Sequence, residues 1–103
     1  MFQELIHWDI YEIRTEKTPI NGVMLRGRIR KFCLNEKRNV LVENTGDIQG
    51  CVRFAIPADE DPEIIIHYLQ SIIGDAEIER VLGAIPNPVL SKLIINQEDR
   101  YTL

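Results

Sequence analysis

The sequence predicts an α+β fold in which two helices are set among four strands. Several short segments alternate apolar and polar residues, which is typical of half-buried strands. One later segment carries a complete set of helix start and stop signals. With 103 residues, 45% hydrophobic and 27% charged, the chain has the size and composition of one compact domain. We therefore treat residues 1–103 as a single domain.

The strand predictions come from alternation and from turn chemistry. A first strand is expected within residues 5–14, where aromatic and β-branched residues dominate. Residues 40–43 (VLVE) and 48–56 (IQGCVRFAI) read as a second and a third strand, and the intervening NTGD indicates a hairpin turn. The residues of the third strand expected to face the core are Val52, Phe54 and Ile56.

The clearest helix is predicted over residues 62–73. Asp61 is suited to the N-cap, Pro62 to the first helical position, and Gly74 to the stop. The apolar stripe of this helix consists of Ile65, Leu69 and Ile72.

Residues 21–32 (NGVMLRGRIRKF) allow two interpretations. Read in twos, the arginines at 26, 28 and 30 lie on one side, as in a basic strand. Read in threes and fours, an apolar stripe emerges, as in an amphipathic helix. That stripe consists of Leu25, Ile29, Phe32 and Cys33.

Connection length favours the helix. A parallel crossover needs a dozen or more residues, usually helical, and residues 15–39 supply them. A helix over about residues 23–37 gives the order β-α-β-β-α-β, the ferredoxin-like split βαβ sandwich with an antiparallel sheet and both helices on one face. Residues 77–83 complete it as a fourth strand, residues 85–96 stay ambiguous between strand and helix, and 100–103 (RYTL) could add an edge strand.

Composition narrows the function classes. There is no apolar run of 18 residues and the amino terminus carries acids, so we expect no membrane span and no secretory leader. Cys33 and Cys51 are too few for a disulfide scaffold, which favours a cytoplasmic protein. Residues 26–38 hold six of the twelve basic residues, yet the chain is −4 overall, which favours a small anion over nucleic acid as ligand. We expect a monomer.

Two short motifs resemble those of the acylphosphatase family. Residues 18–26 (TPINGVMLR) resemble that family's G-R-V-Q-G-V-x-F-R, with Gly22, Val23 and Arg26 identical. Residues 42–45 (VENT) resemble its V-x-N-T, and Asn44 follows Arg26 by 18 positions, the family's own spacing. The likeness runs on through the second helix to the carboxyl end (VLSKLIINQEDRYTL).

The first motif also departs from the family pattern. Thr18 and Pro19 stand where the family has Gly and Arg, and Asn21 replaces Gln. Proline lacks a backbone N–H, so the loop has one hydrogen-bond donor fewer for binding phosphate. Activity could therefore be weakened while the fold is kept.

The resemblance implies hydrolysis of acyl phosphates to a carboxylate and inorganic phosphate, without cofactor or metal. In a loop that enters a helix, several backbone N–H groups point at one anion. The guanidinium of Arg26 would add charge-assisted hydrogen bonds to the phosphoryl oxygens. Asn44 would hold the attacking water, with possible support from Thr45. Phosphate or sulfate would bind as product-like ligands. The alternative is a noncatalytic anion-binding or interaction module. The backbone cradle is assigned to Asn21, Gly22, Val23, Met24 and Leu25.

Overall fold

In the part of the chain that the structure describes, the fold consists of a four-stranded sheet, two helices and a short hairpin that follows the sheet. A computed structural model of the chain describes residues 6–15, 25–45, 47 and 50–95. In chain order the elements are β1 (His7–Arg14), α1 (Leu25–Asn35), β2 (Leu41–Asn44), β3 (Cys51–Pro57), α2 (Glu63–Ile72), β4 (Glu77–Pro86), β5 (Pro88–Val89) and β6 (Ile94–Ile95).

Every pair of neighbouring strands in the large sheet is antiparallel, and their order is β2-β3-β1-β4. Because β1 and β2 are both antiparallel to β3, they run parallel to each other. By the same reasoning β3 and β4 run parallel on either side of β1. The helix α1 therefore joins the parallel strands β1 and β2, which have β3 between them. The helix α2 joins the parallel strands β3 and β4, which have β1 between them.

One face of the sheet packs against both helices. The predicted core residues Val52, Phe54 and Ile56 lie on this face and are fully buried. Ring stacking joins the helices, with the centroids of Phe32 and Tyr68 4.2 Å apart. The helix residues buried in the same cluster are Leu25, Ile29, Cys33, Ile65 and Leu69.

The described part of residues 21–32 is helical, from Leu25 onwards. Gly27 inside α1 disfavours a helix by roughly 1 kcal/mol relative to Ala. Burial of Leu25 and Ile29, which are 2% and 0% exposed, contributes roughly 1.5 to 3 kcal/mol for each side chain. Packing therefore outweighs the glycine, and the helical interpretation is confirmed for these residues.

The opposite face of the sheet is covered as well. Trp8, Ile10 and Ala55 form a second buried cluster with Leu90, which lies between β5 and β6. As a result β3 is buried along its whole length, where sequence alternation indicates a strand buried on one side. The segment after β4 therefore serves as a cover for the second face.

The ends of the later elements refine the predicted boundaries. The Asp61 side chain accepts the N–H of Glu63 at 3.0 Å, and Pro62 already has helical backbone angles. At the other end Ile73 is extended, so the helix ends at Ile72, one residue before the predicted end at residue 73. β4 runs three residues beyond the predicted 77–83, and the ambiguous segment that follows forms the β5–β6 hairpin instead of a helix. The edge strand proposed at 100–103 lies outside the described residues.

Candidate functional site

The structure describes four of the predicted site residues. Arg26 is exposed in the first turn of α1, and Asn44 is the exposed last residue of β2. The side chain of Leu25 is buried in the core, so its possible contribution is its backbone N–H, one of those that a helix N-terminus leaves without an intrahelical acceptor. Thr45 follows β2 directly. The predicted cradle residues that lie outside the described ranges are Asn21, Gly22, Val23 and Met24.

Chain direction brings the start of α1 and the end of β2 to one end of the sheet. The helix leads from the end of β1 back to the start of the parallel strand β2, so it runs antiparallel to both. The first residue of α1 and the last residue of β2 consequently share an end. This is the end at which Arg14 of β1 pairs with Cys51 of β3.

A hydrogen bond sets the lateral position of α1 over β2. Arg30 Nη2 donates to the Val42 carbonyl at 2.9 Å. Arg26 lies one helical turn, about 6 Å, from Arg30, and Asn44 lies two strand residues, about 7 Å, from Val42. Because the two elements are antiparallel, both displacements point the same way. Arg26 and Asn44 therefore lie at the same end of the sheet, beyond the Arg30–Val42 contact.

The turn after Asn44 is fixed by Thr45. The Thr45 N–H and hydroxyl lie 3.3 Å and 3.2 Å from the Cys51 carbonyl, and both donate to it. This contact joins the first residue after β2 to the first residue of β3. Asn44 therefore leaves the sheet at a defined point.

A charged network lies on the other face of the sheet at the same end. Arg53 is 1% exposed, and its Nε and Nη2 donate to Glu12 Oε1 at 2.9 Å and 2.8 Å. The second oxygen of Glu12 accepts from Arg14 at 2.7 Å. Asp47, in the β2–β3 turn, binds the Arg53 guanidinium at 2.8 Å and 3.0 Å.

Burial lowers the pKa of Arg53, but its hydrogen bonds to Asp47 and Glu12 raise it, and the net direction is upward. The guanidinium is therefore charged throughout the physiological range. Sequence reasoning missed this network. The available signal was that Glu12 and Arg53 both interrupt apolar strands, but their pairing depends on the β1–β3 register.

The outer surface of α1 is positively charged. Arg26, Arg28, Arg30 and Lys31 are all exposed, and the sequence of Leu25–Asn35 contains no acid. Among the described residues Arg26 has no ion-pair partner closer than 4.0 Å. The helix N-terminus and these cations together favour an anion at this end of the sheet.

The two cysteines are free and buried. Burial raises the pKa of the Cys33 thiol to about 11 and also raises the pKa of Cys51. Both are therefore protonated near neutral pH, and a protonated thiol is a poor nucleophile.

Within the described ranges no three His, Cys, Asp or Glu side chains are grouped as metal ligands. None of the helices found there combines the length and the apolar character needed to cross a membrane. The chain matches no protein-family model, and comparisons with curated proteins and with solved structures give no match.

Proposed function

We propose that this protein hydrolyses acyl phosphates to a carboxylate and inorganic phosphate. The observation that supports the proposal is that the start of α1, which carries Arg26, and the end of β2, which carries Asn44, lie at the same end of the sheet. An arginine at a helix N-terminus is suited to binding a phosphoryl group. A nearby asparagine can both donate to and accept from one water molecule.

We also propose that the fold is the ferredoxin-like split βαβ sandwich. Three features support this assignment. The element order is β-α-β-β-α-β before the terminal hairpin. The strand order places β1 and β3 side by side at the centre of the sheet, so that each helix-connected pair is split by a strand of the other. Both helices contribute to one core cluster on a single face.

In the proposed reaction the phosphoryl group is held by the N–H groups at the start of α1 and by the guanidinium of Arg26. The oxygen of a water held by Asn44 attacks phosphorus in line. The bond between phosphorus and the acyl oxygen breaks, and its electron pair leaves with the carboxylate. The water's protons pass to phosphate oxygens and solvent. Because a carboxylate is a good leaving group, positioning and electrostatics suffice without a general base or metal.

The residues around this pair have supporting roles. Leu25 anchors the start of α1 in the core and offers its backbone N–H. Thr45 fixes the turn behind Asn44. Asn21 to Met24 are proposed to complete the cradle with their backbone N–H groups.

Hydrolysis of benzoyl phosphate tests the proposal, with Arg26→Ala compared against Arg28→Ala. Both arginines are exposed on α1, so the second is a matched control for charge. We expect Arg26→Ala to lower kcat/KM by about 100-fold or more and Arg28→Ala to change it by less than about threefold. Wild-type turnover equal to buffer, or equal losses in both variants, would refute the proposal.

A separate pair of variants tests Asn44. Asn44→Ala should lower kcat while leaving inhibition by inorganic phosphate unchanged, because phosphate binding is assigned to Arg26 and the loop. Asn35→Ala, at the exposed end of α1, is the matched control and should resemble wild type. A parallel loss of phosphate binding in Asn44→Ala would contradict the assigned role.

The second candidate is a noncatalytic module that keeps the anion site. It is favoured by Pro19, which lacks an N–H to donate to phosphate, and by the changes at Thr18 and Asn21. Inorganic phosphate would then raise the melting temperature without any turnover of benzoyl phosphate, and Arg26→Ala would abolish that rise. In either case two free, buried thiols favour a reducing, cytoplasmic location for the protein.

A further inference from the structure

We propose that Asp47, held by the buried Arg53, is a positioning residue that sets the orientation of Asn44. This inference rests on the proposed role of Asn44 in holding the attacking water. It adds a connection between the site on one face of the sheet and the charged network on the other.

The Arg53 guanidinium is held by two partners besides Asp47. It is 1% exposed, and Glu12 of the central strand β1 accepts from its Nε and Nη2. Its Nη1 donates to the Leu90 carbonyl at 2.9 Å, in the segment that covers this face. These partners belong to the core of the sheet and to its cover, so the guanidinium is a fixed point.

Asp47 meets this fixed point with both of its carboxylate oxygens. Oδ1 lies 2.8 Å from Nη1 and Oδ2 lies 3.0 Å from Nη2. A two-bond contact of this kind between a guanidinium and a carboxylate fixes orientation as well as distance. The side chain of Asp47 is 45% exposed. Asp47 therefore lies at the surface, in the β2–β3 turn, while the Arg53 guanidinium that binds it is buried.

The turn that Asp47 fastens begins directly after Asn44. Thr45 is bound to Cys51, Asp47 is bound to Arg53, and Gly50 has a φ of 73°, a conformation that favours glycine. Among the described residues of this turn, Thr45 and Asp47 are thus each held by a contact with β3. Asn44 pairs with Val52 in the β2–β3 ladder, so the Asp47 contact acts on the orientation of the Asn44 side chain where the chain leaves the sheet. A displacement of about 1 Å in such a group can lower a rate about 100-fold.

The same network reaches the other segment of the site. Glu12 Oε2 accepts from Arg14, the last residue of β1, which leads into the predicted phosphate loop. The Glu12 carboxylate therefore binds Arg14 at the end of β1 and also binds Arg53, which holds the turn after Asn44 through Asp47. The two segments that would hold phosphate and water share one internal support.

Asp47 is the residue to change, because it is partly exposed and its removal leaves the core intact. We expect Asp47→Ala to lower kcat for benzoyl phosphate by about 10- to 100-fold, with the inhibition constant of inorganic phosphate unchanged. Asp47→Asn keeps one acceptor oxygen and should lie between Asp47→Ala and wild type. Asp59→Ala removes an exposed acid at the opposite end of β3 and should behave as wild type.

A double variant separates positioning from a general structural effect. If Asp47 acts through Asn44, Asp47→Ala should cause no further loss of kcat when Asn44 is already alanine. Multiplicative losses in the double variant, an equal loss of phosphate binding, or an unchanged kcat in Asp47→Ala would each overturn the inference.

The inference stays testable if wild type does not hydrolyse benzoyl phosphate, an outcome that would refute the proposed function alone. The side-chain amide of Asn44 then serves as the reporter in ¹H–¹⁵N NMR spectra. A shift of this resonance in Asp47→Ala but not in Asp59→Ala supports the positioning role. An unshifted resonance in Asp47→Ala overturns it.

Discussion

Replacing Arg53 by methionine should destabilise the protein strongly. The change leaves Glu12, whose side chain is 5% exposed, without its main countercharge. Removing one partner of a buried ion pair costs about 3 to 5 kcal/mol. Arg14 still binds the second oxygen of Glu12 but is 54% exposed, so it compensates little. The contact with Asp47, at 45% exposure, adds at most about 1 kcal/mol.

The matched control removes both charges. Glu12→Leu combined with Arg53→Met leaves no buried charge in this pair, and such double replacements are often nearly neutral. The Leu90 carbonyl still loses the donor that Arg53 provides, which costs about 1 to 3 kcal/mol. Arg53→Met loses the same donor, so this cost cancels between the two variants. We therefore expect the double variant to be more stable than Arg53→Met by about 3 to 5 kcal/mol.

Urea denaturation followed by circular dichroism measures the free energy of unfolding of the three proteins, with similar m-values as the check on two-state behaviour. The reasoning is refuted if Arg53→Met loses less than about 1 kcal/mol. It is also refuted if Glu12→Leu lowers the stability of Arg53→Met further. Domains of this kind have about 5 to 15 kcal/mol of stability in total, so the single variant could unfold outright while the double variant folds.

Three further predictions concern stability. Leu69 is 0% exposed, and Leu69→Ala should lower the free energy of unfolding by about 2 to 5 kcal/mol. Leu34 is 77% exposed, and Leu34→Ala should change the free energy of unfolding by less than about 0.5 kcal/mol. Similar losses in the two variants would contradict the described core. Gly27→Ala should raise the free energy of unfolding by about 0.5 to 1 kcal/mol, because the site is helical and a Cβ there meets nothing within 4 Å; a lower melting temperature would count against a helix at this point. The raised pKa of Cys33, about 11 against 9.0, means that the folded state keeps a proton that the unfolded state loses. Stability should therefore be fully present below pH 9 and fall by on the order of 2 to 3 kcal/mol as the pH rises to about 11, and a titration of Cys33→Ala should show a shallower fall.

The parts of the fold that follow from local rules were predictable from the sequence. Periodicity and capping chemistry predicted α2, and the turn chemistry of residues 44–47 predicted the β2–β3 hairpin. For residues 21–32, periodicity alone allowed a strand or a helix. Connection length decided for the helix, because a crossover between parallel strands cannot be made by a short loop.

The features that depend on long-range pairing were not predictable. Arg53 and Glu12 are 41 residues apart, and their contact exists because β1 and β3 are neighbours in one particular register. The burial of the second sheet face depends on where the segment around Leu90 folds back. The alternation of apolar and polar residues along β3 predicts that one face of the strand is buried. It does not predict that a later segment of the chain covers the second face. The site residues Arg26 and Asn44 remain predictions until an activity is measured.

The split order of the sheet has a consequence for how the chain folds. β1 is hydrogen-bonded to β3 and β4, and β2 to β3, so the first two strands cannot pair with each other. A nascent chain that ends before Cys51 contains the residues of the first helix, but neither of its two strands has a partner. We expect such a fragment to stay unfolded and the complete chain to fold in one cooperative step. The dominance of distant pairings predicts a folding time nearer milliseconds than the microseconds of small helical bundles.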